Sequence, residues 1–117
     1  MRYLLLIYSA ENQEPSEGSA DEAAMMAGYR AFGEEAGRRG AMETGERLRP
    51  VADAKTVRVR AGKTASVDGP FAETKEQLGG FYILNCKSID EALGLAAMIP
   101  GAQYGSIEVR PIWEMEG

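Results

Sequence analysis

Histidine is absent from the sequence, and cysteine occurs once, at Cys86. Without histidine the chain cannot form a Ser–His–Asp triad, a Cys–His pair or a histidine-ligated metal site. The lone cysteine cannot form a disulfide within the chain, and its place in the apolar run 81–86 predicts a small buried core residue. Carboxylates remain as strong ligands and prefer hard cations, so we expect no tightly bound zinc or iron and no cofactor.

Basic residues are also scarce, because 13 Lys and Arg face 18 Asp and Glu for a net charge of −5. Nucleic acids and anionic membranes attract clustered positive charge, so neither is an expected partner. The apolar run at residues 1–8 is shorter than a signal peptide and far shorter than the roughly 20 residues that span a bilayer. We therefore expect a cytoplasmic protein.

The chain has 117 residues, of which 44% are hydrophobic. This length matches the commonest domain size of about 100–150 residues, and the composition is that of a globular protein. A single domain over residues 1–117 is the simplest interpretation.

Two segments are predicted to be central strands. Residues 2–8 are apolar in both alternating sets, which are Tyr3, Leu5 and Ile7 on one side and Leu4, Leu6 and Tyr8 on the other. Residues 80–86 have the same two-sided character. Strands that are apolar on both faces need a cover on each, so we expect these two to lie side by side in the middle of a sheet.

Two helices are indicated by capping boxes, in which a serine and a glutamate three residues later satisfy free backbone donors. Ser19 with Glu22 predicts a helix over about 20–39, and Ser88 with Glu91 predicts one that ends before Pro100. The first helix has a predicted buried stripe formed by Met25, Tyr29, Phe32 and Ala36. On its solvent side we predict two ion pairs, Glu34–Arg38 and Glu35–Arg39. Its glycines, which are Gly28, Gly33 and Gly37, predict close approach to other backbone.

Four further strands are predicted at residues 43–48, 56–60, 65–67 and 106–112. The order of elements indicates an α+β fold of the split βαβ kind, with an antiparallel sheet and two helices on one face. Two helices cannot cover the other apolar face, and a second copy of the same sheet is its simplest cover. We therefore expect a homodimer.

The most specific stretch begins Asp68-Gly69-Pro70-Phe71, which is turn chemistry because aspartate bonds to nearby backbone and glycine permits positive φ. Two interpretations of Asp68 follow. Its carboxylate either shapes the turn through bonds to backbone donors, or pairs with Glu73 for proton transfer if the loop folds into an apolar cavity.

Residues 68–82, 104–111 and 3–8 together resemble the DGPF branch of the YCII-related family. The resemblance implies a ferredoxin-like fold in which two subunits form a dimeric α+β barrel. Other YCII-related proteins are thought to use a His–Asp pair, which cannot be carried over to a chain without histidine. The resemblance also suggests an association with extracytoplasmic-function sigma factors.

Two functions are compatible with these patterns. The first is small-molecule binding, with weak acid–base activity at Asp68 and Glu73, in a pocket between sheet and helices. The residues predicted to line it are Tyr8, Tyr29, Asp68, Phe81 and Arg110, and Arg58 is predicted to orient an anionic ligand unless it forms cross-strand ion pairs. The second is a non-catalytic accessory or regulatory protein that acts through protein contacts.

Overall fold

The computed structural model describes residues 1–115 and contains six strands and three helices in that range. Each predicted element is confirmed to within three residues at either end, whereas the short third α-helix and two 3-10 turns at Glu11–Gln13 and Val51–Asp53 were not predicted. The elements are β1 Arg2–Ser9, α1 Ala20–Arg38, β2 Met42–Arg47, β3 Lys55–Arg60, β4 Lys63–Asp68, β5 Gln77–Asn85, α2 Ile89–Ala96, α3 Gly101–Tyr104 and β6 Gly105–Pro111.

The main sheet has four strands in the order β2-β5-β1-β6, and every neighbouring pair is antiparallel. The expected pairing of the two apolar strands is confirmed, because β1 lies beside β5 in the middle of the sheet. The chain leaves this sheet after β2, forms a separate two-stranded sheet from β3 and β4, and returns at β5. Mixed helices and antiparallel sheets of this kind confirm the α+β class.

The two faces of the sheet are covered differently. On one face, the row Tyr3, Leu5, Ile7 and Ser9 is buried against the helices. The helical side of this core includes Phe32, Ala36, Ala92, Leu95 and Ile99. On the opposite face, the outward residues of β1 and β5 stay half-exposed, namely Leu4, Leu6, Tyr8, Phe81 and Ile83. We call this the outer face.

Cys86 lies at the edge of the core and is 2% exposed, as predicted for a small core residue. Burial raises the pKa of its thiol, and the nearby Glu91 carboxylate acts in the same direction. A thiol of this kind stays protonated at neutral pH and is a poor nucleophile. In the described part of the chain, no helix is long and apolar enough to cross a membrane.

Both helices begin at the predicted serines, with a small change in the reciprocal bond. The Ser19 Oγ atom accepts from the backbone N–H of Glu22 at 3.1 Å, while the Glu22 carboxylate accepts from Gly18 rather than from Ser19. The backbone N–H of Ser19 is already bonded to Ser16. Ser88 and Glu91 repeat this arrangement. In both helices the glutamate therefore accepts from the backbone N–H of the residue before the serine, rather than from that of the serine.

Helix α1 departs from prediction in its charged pairs. Phe32 and Ala36 are buried as predicted, whereas Met25 and Tyr29 are only half-buried because they border a cleft. The predicted Glu34–Arg38 pair is wrong, because both Arg38 and Arg39 bind Glu35. Glu35 thus lies between two guanidinium groups, at the i,i+3 and i,i+4 spacings that place side chains on one face of a helix.

The glycines of α1 divide into one packed and two free positions. A Cβ atom on Gly28 would lie 2.7 Å from Cγ of Pro100, so α1 closes onto the turn after α2 at this point. A Cβ atom on Gly33 or Gly37 would meet nothing within 4 Å. Gly28 therefore makes a close approach, but to a proline ring rather than to other backbone, and the predicted approach is wrong at Gly33 and Gly37.

The β3–β4 hairpin, residues 55–68, projects from the rest of the chain, and we call it the arm. Within it, every residue except Thr56 is exposed. Its turn is formed by Ala61 and Gly62, both at positive φ, and at its base the N–H of Gly69 bonds to the carbonyl of Ala54 at 2.6 Å. The Cα radius of gyration is 16.3 Å. A compact chain of this length is expected near about 13 Å, and the projecting arm accounts for the excess.

Candidate functional site

A cleft of about 280 Å³ opens between α1 and the end of the sheet where β1 finishes. Its walls come from β1, α1, β2, β5 and the turn into α3. The lining residues are Ile7, Ser9, Glu14, Met25, Met26, Tyr29, Gly45, Glu46, Arg47, Gly79, Gly80, Tyr82, Gly101 and Tyr104. Most of the side chains that face the interior are apolar or aromatic, as is usual for ligand sites.

Glycine keeps the cleft open on the strand side. A side chain at Gly45 would overlap the Tyr82 ring on the neighbouring strand. A Cβ atom on Gly80 would lie 2.8 Å from the Glu46 carbonyl. The pairing of β1 with β5 shifts by one residue beside Gly79, between Ile7 and Tyr8. A bulge of this kind bends the strand and increases its local twist at this end of the sheet.

The polar end of the cleft is formed by Ser9 and Glu14. Ser9 is the last residue of the helix-facing row of β1 and is 6% exposed. Its hydroxyl donates to Oε1 of Glu14 at 3.0 Å. The hydrogen bond therefore satisfies a buried donor and fixes a carboxylate at the cleft wall.

Tyr29 projects from α1 into the same cleft. Burial raises the pKa of its hydroxyl, and the negative charge of Glu14 adds to this effect. A backbone hydrogen bond from Gly101 and the positive charge of Arg47 act in the opposite direction but do not reverse the shift. Tyr29 is thus a neutral hydroxyl at physiological pH, able to donate a hydrogen bond into the cleft.

Tyr82 forms the inner wall. Burial raises the pKa of its hydroxyl as well, with a smaller contribution from Tyr29. Its ring packs against Phe32 with the ring centroids 4.8 Å apart and the planes tilted by 56°. Tilted aromatic pairs at this separation are favourable, so the wall is held in one position.

A second depression of about 460 Å³ adjoins the cleft at its mouth and shares Ser9, Glu14 and Arg47 with it. The loop after β2 is fastened here, because Oε1 of Glu11 accepts from the N–H of Val51 at 2.9 Å. Gln77 accepts from the N–H of Glu11 at 3.3 Å on the other side. The mouth is therefore built by the body of the chain and stands apart from the arm.

The predicted pocket residues do not come together. Tyr29 lies in the cleft between sheet and helices, as predicted. Tyr8, Phe81 and Arg110 lie on the outer face, because Phe81 is registered with Leu6 and Arg110 with Leu4. A single pocket that contains all of them is wrong, since a strand sends alternate side chains to opposite faces. Whether the outer three bind a ligand stays a prediction.

The other predicted residues lie on the arm or beyond it. Arg58 is exposed on β3 opposite Ala65. Within residues 1–115 the Asp68 carboxylate makes no hydrogen bond, is 90% exposed and lies 3.9 Å from the Lys55 ammonium. The expected bonds from Asp68 to the backbone are therefore wrong, although Gly69 does adopt positive φ. Glu73 is exposed, and neither carboxylate lines the cleft.

Sequence reasoning missed Ser9, Glu14 and Arg47. Ser9 carried a usable signal, because it continues the alternating row of Tyr3, Leu5 and Ile7 as a polar residue at a buried position. Glu14 follows an irregular segment whose path the sequence does not specify. Arg47 is one of several arginines near the end of β2, and the choice among them depends on strand register.

Comparison with known sequences assigns the chain to a family. The pattern of the YCII-related domain matches residues 1–116. The chain belongs to the YCII-related domain family. It is 40% identical over 114 residues to an uncharacterized protein from Rhizobium meliloti (strain 1021). The aligned region covers 96% of this chain and 92% of that protein. The family-level resemblance seen in the sequence is thereby confirmed.

In this YCII-related chain the cleft offers carboxylate, phenol and guanidinium groups but no imidazole. Among residues 1–115, no three His, Cys, Asp or Glu side chains cluster closely enough to hold a metal ion. Its own groups can hydrogen-bond a ligand through Tyr29, hold a negative charge near Arg47, and exchange a proton at Glu14.

Proposed function

We propose that this YCII-related protein binds a small, largely apolar molecule in the cleft between α1 and the sheet. The observation that carries the proposal is the cleft itself, in which apolar walls end at a buried Ser9 hydroxyl and the Glu14 carboxylate. Ligand sites usually combine an apolar cavity with a few convergent polar groups. At about 280 Å³ the cleft suits a ligand smaller than most drugs.

The polar groups favour a ligand with one anionic or hydrogen-bonding end. Arg47 and Tyr29 line the same cleft, so a guanidinium and a phenol donor both border the space that a ligand would fill. A carboxylate between them would accept from the phenol and from the guanidinium, which is a favoured partner of planar anions. Small aromatic or alkyl acids are the ligand class that fits best.

If the protein is an enzyme, the activity that we propose is weak acid–base catalysis in the same cleft. Glu14 accepts from the Ser9 hydroxyl at 3.0 Å and lines the same cleft as the neutral Tyr29 hydroxyl, so a base and a hydrogen-bond donor border the same space. Proton transfer needs the base within hydrogen-bond reach of the substrate. The sequence-based pair Asp68 and Glu73 stays a second prediction, which Asp68→Asn tests by its effect on turnover.

Binding is tested with naphthalene-2-carboxylate as the probe, using isothermal titration calorimetry. Met25→Trp places a larger side chain in the cleft and should weaken binding by roughly tenfold or more. Met98→Trp is the matched control, because Met98 is 40% exposed after α2 and does not line the cleft. Equal affinity in the two variants, or no binding by the wild type, would contradict the proposal.

We further infer the DGPF branch, a ferredoxin-like fold and a homodimer that pairs the two outer faces as a dimeric α+β barrel. The strand order β2-β5-β1-β6, with helices in both crossovers, supports the fold. The half-exposed apolar side chains of the outer face support the pairing. Leu6→Lys should give a monomer by light scattering, whereas Leu93→Lys on α2 should leave twice the chain mass.

The alternative is an accessory or regulatory protein that acts through protein contacts, and the exposed arm is the observation that favours it. A link to an extracytoplasmic-function sigma factor rests on the sequence resemblance alone. The two functions give different results with the cleft variant, because a regulator should tolerate Met25→Trp and lose its partner on removal of the arm.

A further inference from the structure

The arm lacks the cover that a two-stranded sheet needs. Isolated hairpins are marginally stable in water and require a third strand or a packed face. Val57 and Val59 share one face of the arm with Ser66 and Thr64, and are 61% and 56% exposed. In the loop that follows the arm, Phe71 is 79% exposed. An apolar strip of this kind marks an association surface.

Charge is strongly segregated between the arm and the remainder of the chain. The arm carries Lys55, Arg58, Arg60 and Lys63 against Asp68 alone, a net charge of +3. The whole chain has a net charge of −5, so the remainder carries −8. The arm is therefore complementary in charge to the body of another copy of the same chain.

The outer face and the arm can both contribute to one dimer interface. Four strands of about eight residues cover roughly 500 Å² in projection, and the accessible surface of their side chains is larger than this. A standard interface buries about 800 Å² of accessible surface on each partner. In a two-fold dimer both subunits contribute the same surface to the interface. A contact made by one arm is therefore repeated by the other arm.

We infer that the arm of each subunit packs across a second copy of this chain, with its valine face buried against the partner. Arg58, Arg60 and Lys63 lie on the opposite face of the arm, and their positive charge attracts the partner's acidic body over a distance rather than through direct contact. This inference extends the dimer that we proposed above and rests on it. The arm adds to the area that the sheet faces bury, and it gains the packed face that a lone hairpin does not have. Two properties favour a second copy as the partner. The body of the chain has the opposite charge to the arm, and its outer face is an uncovered apolar surface.

Sedimentation of the full chain tests the inference through the dimer dissociation constant. Val57→Ser with Val59→Ser should raise that constant by roughly tenfold or more, whereas Leu93→Ser, at a comparably exposed position on α2, should leave it unchanged. Arg58→Gln with Arg60→Gln should also raise it. The charge-matched control is Arg30→Gln with Lys87→Gln, which lowers the net charge equally and should have the smaller effect.

The outcomes separate the inference from the proposal on which it rests. Near-ultraviolet circular dichroism should be the same in all variants, because the substituted side chains are exposed. A dimer whose dissociation constant is unchanged in both arm variants would overturn the arm contact but would remain consistent with the sheet-to-sheet dimer. A wild-type monomer at micromolar concentration would overturn both. An arm that binds a different protein, with the dimer constant unchanged, would also overturn the inference.

Discussion

The body of the chain, residues 1–54 and 69–115, and the arm, residues 55–68, both contain strands with apolar side chains, but these side chains are covered differently. Leu5 in the body is completely buried, whereas Val57 in the arm is 61% exposed. Both lie on strands with regular antiparallel partners. Strand pairing alone therefore does not distinguish the two regions, and the difference lies in what covers each face.

The comparison explains where a site can be formed. The body fixes Tyr82 by packing it against Phe32, and fixes Ser9 by burial and a hydrogen bond to Glu14. Precise placement of side chains requires support of this kind. On the arm, the Arg58 and Asp68 side chains are exposed to solvent and lack such support. The arm thus suits association, while the body suits recognition of a small molecule.

The largest expected effect contrasts one core residue with one arm residue. Leu5→Ala should lower the free energy of unfolding by about 2–5 kcal/mol, because it leaves a cavity in a packed core. Val57→Ala should lower it by less than about 1 kcal/mol, because the side chain is already largely in water. Urea unfolding at one fixed low protein concentration measures both. Similar losses for the two would erase the distinction between body and arm.

A second contrast lies within helix α1. Gly28→Ala should destabilise the protein by about 1–3 kcal/mol, because the new methyl group would overlap the Pro100 ring. Gly37→Ala should stabilise it by about 0.5–1 kcal/mol, because the position is open and alanine is the better helix former. Thermal unfolding should shift in opposite directions. A shift in the same direction for both would show that α1 does not close on Pro100.

A smaller effect concerns the helix start that positions α2. Ser88→Ala removes the acceptor for the N–H of Glu91 and should cost about 1 kcal/mol. Ser66→Ala on the arm is the control, because this exposed strand residue caps no helix. Denaturant midpoints compare them, and an equal loss at both positions would exclude a capping role.

The smallest effect appears only in alkali. The pKa values of Tyr29 and Tyr82 are raised above the ordinary value of 10.0, so the folded state holds their protons longer than the unfolded state. The resulting stability is complete below about pH 10 and is lost as pH rises through the folded-state values. Absorbance near 295 nm reports the ionisation. Tyr29→Phe should remove part of the absorbance change that occurs at the highest pH. An unchanged plot of absorbance against pH would place Tyr29 outside the buried cleft.

Much of the fold was predictable, because its signals are local. Ser19 and Ser88 identified the helix starts, and the two-sided apolar pattern of residues 2–8 identified a central strand. The valines of the arm correctly predicted a strand at residues 56–60. Their alternation looks the same whether a face is covered or exposed, so the sequence did not predict that this hairpin projects alone.

The site was harder to predict, because it depends on contacts between distant segments. Tyr29 was identified from the helical stripe, but Tyr8 and Phe81 were grouped with it although strand alternation sends them to the outer face. The pairing of Ser9 with Glu14 requires the chain to turn back after β1, and no residue pattern specifies that turn. Asp68 showed turn chemistry, yet its glycine neighbour forms the turn without help from the carboxylate.

Chemical-shift mapping with naphthalene-2-carboxylate is the most direct test of the cleft as the functional site. In ¹H–¹⁵N spectra of the wild-type protein, the largest saturable shifts should fall on Ser9, Tyr29, Arg47 and Tyr82, with none on the arm. The Met25→Trp variant should lose these shifts, and Met98→Trp should keep them. Shifts concentrated on the arm or the outer face, or no saturable shifts at all, would contradict the assignment of small-molecule binding to the cleft.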